Sequence, residues 1–347
     1  VENKIKSQEK ISITIFITIG LIYIIYNVFN SQVINKADFT KIQNLSTIFI
    51  SIVLEAIPFI LLGSVISALI QVFISEELIG KIMPRNKFIG IIAASLVGMV
   101  FPVCECAIIP IAKRLIKKGM PLGMGVTFML AVPIVNPIVM MSTFYAFYDK
   151  PVMVLMRVGF GILSAIAIGL IITIVENKNL SQVKISKYDT YLGCYCGCDS
   201  NNELHKYKSK LSVILEHTTR EFMSISKYLI FGAFLSSIFQ TVVSRRVIES
   251  IGSNPMISIV AMMFLAFTLS ICSEADAFIA RTFLPQFTTG SVLAFLILGP
   301  MLDIKNTFML FGNFKNKLVI KLIVYIILIT FIIAAYTNIM VLFGVIK

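Results

Sequence analysis

What most constrains this chain is the recurrence of apolar stretches close to the ~20 residues that a helix needs to cross ~30 Å of hydrocarbon. They fall at 11–29, 46–74, 121–148, 151–175, 226–243 and 318–343. None shows the strict alternation of a membrane β-strand, and helices satisfy their own backbone hydrogen bonds, so an all-α polytopic membrane protein is predicted. Composition agrees: 57% of the 347 residues are hydrophobic and 14% are charged, with a mean hydropathy of +0.91, so lipid is the solvent to reason with. The first stretch follows Lys4, Lys6 and Lys10 but ends in Tyr26, Asn27 and Asn30 without a small-residue cleavage site, which reads as an uncleaved span rather than a signal peptide.

Sliding the chain by 169 residues lays Phe59 to Ile79 on Tyr228 to Ile248 without a gap. Gly63 then meets Gly232, Ser67 meets Ser236, Gln71 meets Gln240, Ser75 meets Ser244 and Ile79 meets Ile248. With small gaps the register continues through Cys104/Cys272, Arg114/Arg281, Gly123/Gly290, Pro133/Pro300 and Asn136/Asp303. An internal repeat dictates topology. Each copy reads as a long helix, a hydrophobic hairpin with a polar tip, a helix broken by Pro, and a final span. The hairpin arms of about 14 residues rise only ~20 Å, so they should enter and return by one side. Each copy then crosses three times, and the second is inverted relative to the first; ten full spans is the rival arrangement. The expected domains are an N-terminal transmembrane helix and loop (1–43), a first membrane repeat (44–175), a cytoplasmic linker (176–225) and a second membrane repeat (226–347).

The charge of +12 fits this topology. With the N-terminus in the cytoplasm, 21 basic residues fall inside and seven outside, as the positive-inside rule requires. That placement accounts for the basic balance without nucleic acid, and an inner-membrane location follows. Lys305 and Arg157 fall within spans; for Arg157, snorkelling from near the interface is a simpler account than contact with an anion.

Inverted repeats with interrupted helices place a binding site near the midplane, where unwound backbone and half-helix ends supply polar groups. Four interruptions should converge there: Pro102 to Cys106, Val132 to Pro137, Cys272 to Asp276 and Gly299 to Asp303. Pro133, Pro137 and Pro300 free backbone carbonyls for other partners. Cys104, Cys106 and Cys272 could present three thiols to a soft species such as Cu(I), Zn(II) or trivalent arsenic, or could simply be small apolar residues in tight tips. Asn136 and the carboxylates Glu55, Glu105, Glu274, Asp276 and Asp303 must face a cavity, pair with a base such as Arg114, Arg157 or Arg281, or carry a proton. Because a carboxyl removed from water holds its proton more readily, Glu105 and Glu274 are the candidates for proton coupling. On the linker, Cys194, Cys196 and Cys198 form a Cys-x-Cys-x-Cys run that suits capture of a soft metal better than a disulfide framework.

No phosphate loop and no His-Glu-x-x-His pair occurs, so neither an ATPase nor a zinc peptidase is supported, no enzyme activity and no cofactor are expected, and energy should come from an ion gradient or another subunit. The expected partners are a small-molecule or ion substrate and the lipid bilayer, with association into a homo-oligomer left open.

The four interruptions resemble the predicted permease family that includes the organoarsenical efflux permeases. The resemblance rests on Phe101-Pro102-Val103-Cys104-Glu105-Cys106-Ala107-Ile108-Ile109-Pro110, Phe128-Met129-Leu130-Ala131-Val132-Pro133-Ile134-Val135-Asn136-Pro137, Ser270-Ile271-Cys272-Ser273-Glu274-Ala275-Asp276-Ala277-Phe278 and Gly299-Pro300-Met301-Leu302-Asp303-Ile304-Lys305-Asn306. It covers roughly residues 45–343 and implies about eight membrane spans and, as in some members, export of trivalent organoarsenicals through paired cysteines. Here Glu105 stands between the cysteines, where many relatives carry a small residue. The expected function is therefore efflux of a soft or thiophilic solute by alternating access; a thiol-based membrane redox protein and a channel for a small solute are the alternatives.

Overall fold

The computed structural model describes residues 36–73, 86–99, 103–175, 210–242 and 255–343. The proposed first span at 11–29, Pro102 and the cysteine run at 194–198 lie outside the described residues. The chain divides into two compact units, 1–48 and 49–347. Of the first, the described part is the start of one helix, where the hydroxyls of Ser46 and Thr47 both donate to the Gln43 carbonyl.

Among the described residues the second unit is wholly helical apart from its turns. In chain order the helices are α1 (Lys36–Phe73), α2 (Lys87–Leu96), α3 (Glu105–Lys117), α4 (Leu122–Val135), α5 (Pro137–Ala146), α6 (Val152–Val175), α7 (Lys210–Val242), α8 (Pro255–Leu269), α9 (Asp276–Phe283), α10 (Thr289–Met301), α11 (Ile304–Asn313) and α12 (Asn316–Leu342). Five stretches are long and apolar enough to cross a membrane: α1 from Ile42, α6, α7 over Ser212–Thr241, α10 with α11, and α12. A sixth is α4 with α5, bent by 41° at Asn136. The hairpin helices α2, α3, α8 and α9 have 10, 13, 15 and 8 residues, and at 1.5 Å per residue none spans ~30 Å.

α7 begins at Lys210, well before the expected linker boundary at 225. The polar segment is helical because it has partners: Arg220 pairs with Glu216 one turn away, and Glu221 accepts from Ser67 of α1 at 2.7 Å and lies 3.6 Å from Arg114. The sequence repeat is visible as packing. Contacts of α4 with α6, α2 with α4, α3 with α4 and α2 with α6 recur as α10 with α12, α8 with α10, α9 with α10 and α8 with α12. Across the copies α3 packs on α11 as α9 packs on α5, while α4 meets α10 and α6 meets α12. A two-fold exchange of the copies accounts for these pairings; α7 departs from it by packing along α11.

The repeated glycines explain one such pairing. A Cβ on Gly123 would lie 1.8 Å from Thr173 Oγ1 and 2.6 Å from the Gly169 carbonyl, and one on Gly290 would lie 2.3 Å from the Ala334 carbonyl. Both positions let the first turn of a broken helix press against the final span of its copy. α1 and α7 run antiparallel where they meet: Phe49 stacks edge-on against Phe234 with ring centroids 6.1 Å apart, while Ser67, further along α1, reaches Glu221, earlier on α7.

Candidate functional site

The broken helices restart on side-chain caps at equivalent positions. Asn136 Oδ1 accepts from the Ile138 N–H at 3.0 Å to start α5, and Asp303 Oδ1 accepts from the Asn306 N–H at 2.6 Å to start α11. A helix start leaves backbone donors unsatisfied, and Asn and Asp supply the acceptor. The oxygens expected to bind substrate at these two positions are thus occupied in holding the break, while Asn136 Nδ2 and Asp303 Oδ2 are buried without a hydrogen-bond partner. Pro133 and Pro300 sit inside α4 and α10, one turn before the caps.

The hairpin tips meet at the centre. Glu105 opens α3 after the N-cap residue Cys104, and its Oε2 accepts from the Ser273 hydroxyl of the opposite tip at 3.1 Å. In the register set by Cys104/Cys272, Glu105 and Ser273 are equivalent residues, so the two copies touch at one point of the repeat. The second tip is held by its own polar groups. Cys272 donates its thiol to the Glu274 carboxylate, Ser142 of α5 donates to the Glu274 carbonyl oxygen, and Ser270 accepts from the Ile304 N–H at 3.2 Å. Ser270 has a φ of 47°, a left-handed conformation that a non-glycine residue adopts at a cost of about 1–3 kcal/mol; its bond to the start of α11 is what holds it there.

Two buried ion pairs flank the tips. Arg157 of α6 makes a bidentate contact with Asp276 at 2.8 and 2.6 Å, with side chains 1% and 2% exposed, and also donates to Thr143 Oγ1 at 2.8 Å. Snorkelling is therefore incorrect for Arg157: Asp276 and the Ser273 carbonyl of the other copy and Thr143 of its own accept from both terminal nitrogens within the core, while Nε has no hydrogen-bond partner. Lys305, 3% exposed, lies 3.6 Å from Asp303 and within electrostatic reach of Cys106, Glu105 and Cys272. Glu55, in contrast, is exposed on α1 and outside this buried group. Towards the surface, Arg281 of α9 forms a second bidentate pair with Asp149 in the α5–α6 connection, at 2.6 and 2.8 Å, and the guanidinium holds the Asp149 carboxyl below the usual carboxylate range.

Among the described residues the three thiols are free and buried. Cys104 and Cys106 share one tip on either side of Glu105, whereas Cys272 is engaged by Glu274. Among the described residues no three His, Cys, Asp or Glu side chains come together as a metal site, so the expected three-thiol cluster is instead a pair and a single thiol. A small cavity of ≈ 10 Å³ lies between the copies, lined by Glu105 and Met129 on one side and by Pro300 and Asn306 on the other. Sequence reasoning placed the tips and breaks here but passed over Ser273, Asn306 and Thr143, ordinary polar residues whose role depends on who faces them. Lys305 carried the one available signal, a lysine two residues past an aspartate within a span.

A family model described as a predicted permease matches residues 41–339. The chain belongs to this predicted permease family. UPF0718 protein YcgR of Bacillus subtilis (strain 168) is 45% identical over 287 residues, 82% of this chain and 94% of that protein. A protein of Streptococcus mutans serotype c (strain ATCC 700610 / UA159) named "Putative two-component membrane permease complex subunit" is 38% identical over 277 residues, 80% of this chain and 89% of that protein. No solved structure matches. The permease is thus a multi-pass membrane protein, and the buried tips occupy the part of it that its family shares.

Proposed function

We propose that this permease exports a soft, thiol-seeking solute across the inner membrane by alternating access, with its N-terminus in the cytoplasm and its two copies inverted and rocking about the tips. The observation that carries the reading is the meeting of the tips: Ser273 of one copy bonds to Glu105 of the other at 3.1 Å in the core of a helical membrane body, between the two cysteines of the Cys104-Glu105-Cys106 tip. Antiparallel packing of the equivalent helices α1 and α7 supports inversion, because a two-fold axis perpendicular to spanning helices lies in the membrane plane.

The solute class follows from the thiols. Two neighbouring thiols suffice for a trivalent arsenical carrying one organic group: each As–S bond replaces an As–O bond, and the thiol proton leaves with the hydroxide as water. Cys104 and Cys106 provide that pair, and the Cys194, Cys196 and Cys198 run a point of capture on the cytoplasmic side. The name of the streptococcal relative further suggests that the chain works with a second subunit.

Transport by inverted vesicles decides the matter, using a trivalent arylarsenical, Cu(I) and Zn(II) as probes. Cys104→Ser and Cys106→Ser should each abolish uptake of the accepted probe while the protein remains in the membrane. Undiminished uptake by both variants would exclude the thiol pair.

A further inference from the structure

Two buried oxygens at the junction of the copies lack a donor, and their residues line the cavity. Glu105 Oε1 and Asn306 Oδ1 have no hydrogen-bond partner, their residues are 2% and 3% exposed, and both line the ≈ 10 Å³ cavity. Met129 lines it too. Its carbonyl lacks the usual helical donor four residues on, because that residue is Pro133, which has no N–H. The rest of the lining is apolar.

The cations near this place are engaged. Arg157 is held by Asp276 and Lys305 lies beside Asp303, so of the three buried acids Glu105, Asp276 and Asp303, Glu105 has as its bonded partner only the Ser273 hydroxyl. An unmet buried acceptor is costly, and an unpaired carboxylate more so. A proton on Glu105 would provide one donor and leave the other oxygens unmet. One metal cation can serve several such oxygens at once. The cavity, about the size of one water, selects a small ion, the oxygen ligands select a hard one, and the one carboxylate among the ligands selects one positive charge.

We propose that Glu105, Asn306 and the Met129 carbonyl bind a sodium ion, and that this ion is the one whose gradient drives the permease. The inference rests on the permease reading for its coupling role alone. Glu105 and Met129 belong to the first copy and Asn306 to the second, so the site is complete only while α3 and α4 are docked on α10 and α11. Relative movement of the copies therefore changes the affinity for the ion, which is the differential binding that lets a gradient shift a conformational equilibrium.

The test is binding of ²²Na⁺ to the purified full-length chain in detergent, at constant ionic strength with choline as the replacement cation. Saturable binding is expected, displaced by Na⁺ and at least about tenfold less well by K⁺. Glu105→Gln should abolish it, and Asn306→Leu should weaken it by about 10- to 100-fold, with both variants monodisperse. Absence of saturable binding to the wild type, or undiminished binding by either folded variant, overturns the site. If Glu105→Gln fails to fold, the wild type and Asn306→Leu still decide. Flux in proteoliposomes separates the two claims: probe flux that runs equally in Na⁺ and choline overturns sodium coupling and leaves the permease, whereas sodium binding without flux of any probe overturns the permease reading and leaves the site.

Discussion

Removing either partner of the Arg157–Asp276 pair should destabilise the protein, and the two removals should differ in a way that reports the chemistry of the pair. Both side chains are almost wholly buried and the contact is bidentate at 2.8 and 2.6 Å. Breaking such a pair from one side costs about 3–5 kcal/mol, because a charge is left without compensation. Asp276→Asn leaves a guanidinium that no accessible pH can neutralise, supported by Thr143 and by the Ser273 carbonyl at 3.4 Å. Arg157→Met leaves a carboxyl that escapes part of its penalty by binding a proton. Asp276→Asn should therefore be the worse of the two, with a loss of melting temperature on the order of 5–15 °C.

Thermal unfolding in detergent, followed by the reactivity of the three buried thiols, reads this directly. Lowering the pH should narrow the deficit of Arg157→Met and leave that of Asp276→Asn unchanged. The double variant Arg157→Met/Asp276→Leu, with neither charge, should recover most of the stability lost by the single variants. Equal pH-independent losses for the two single variants, or a double variant no better than the worse single one, would refute the reasoning.

The equivalent caps should behave unequally: Asn136→Ala should cost about 0.5–2 kcal/mol, whereas Asp303→Ala also strands the buried Lys305 and should cost about 3 kcal/mol or more, both measured by the same unfolding assay. Gly123→Ala and Gly290→Ala should each cost about 1–3 kcal/mol, because the added methyl meets backbone carbonyls that cannot turn aside. Gly159→Ala, with nothing within 4 Å of the new atom, should be neutral or stabilise by up to ~1 kcal/mol. Asp149 titrates below its ordinary range beside Arg281, so the stabilising effect of that pair is present above the unfolded-state pKa and is lost as pH falls through the lower folded value. The difference in melting temperature between wild type and Asp149→Asn should accordingly vanish in acid, and also in high salt, which screens an exposed pair.

Much of the scaffold was legible because it depends on local rules. Span length, the short hairpin arms and the proline breaks are properties of consecutive residues, whereas the early start of α7 at Lys210 depends on partners of Glu221 far away in sequence. The repeat was legible because Gly123 and Gly290, or Asn136 and Asp303, solve the same local problem twice: close approach of two helices and the start of a new one. The site was legible only as a neighbourhood. Nothing near Arg157 in sequence announces Asp276, which belongs to the other copy, and the thiols expected to gather in a trio are divided because Glu274, two residues from Cys272, takes its proton donor first.

The polar set at the centre breaks the symmetry that the scaffold keeps. Glu105 is matched by Ser273, and in the same register Asp276 is matched by Ile108; Lys305, counted from the caps Asn136 and Asp303, is matched by Ile138. The packing of Gly123 on Gly169 and Thr173, and of Gly290 on Ala334 and Asn338, aligns α6 with α12 and sets Leu322 where Arg157 stands. Each of these charges has an uncharged counterpart. Contact between equivalents leaves little choice at the tips: Glu105 and Ser273 already lie within 3.1 Å, and a carboxylate at both positions would set two like charges face to face, of which only one could ionise. A duplicated fold that brings its own equivalents together can therefore keep one charge per pair, and the function this permease performs is to be sought in the residues that the repeat does not repeat.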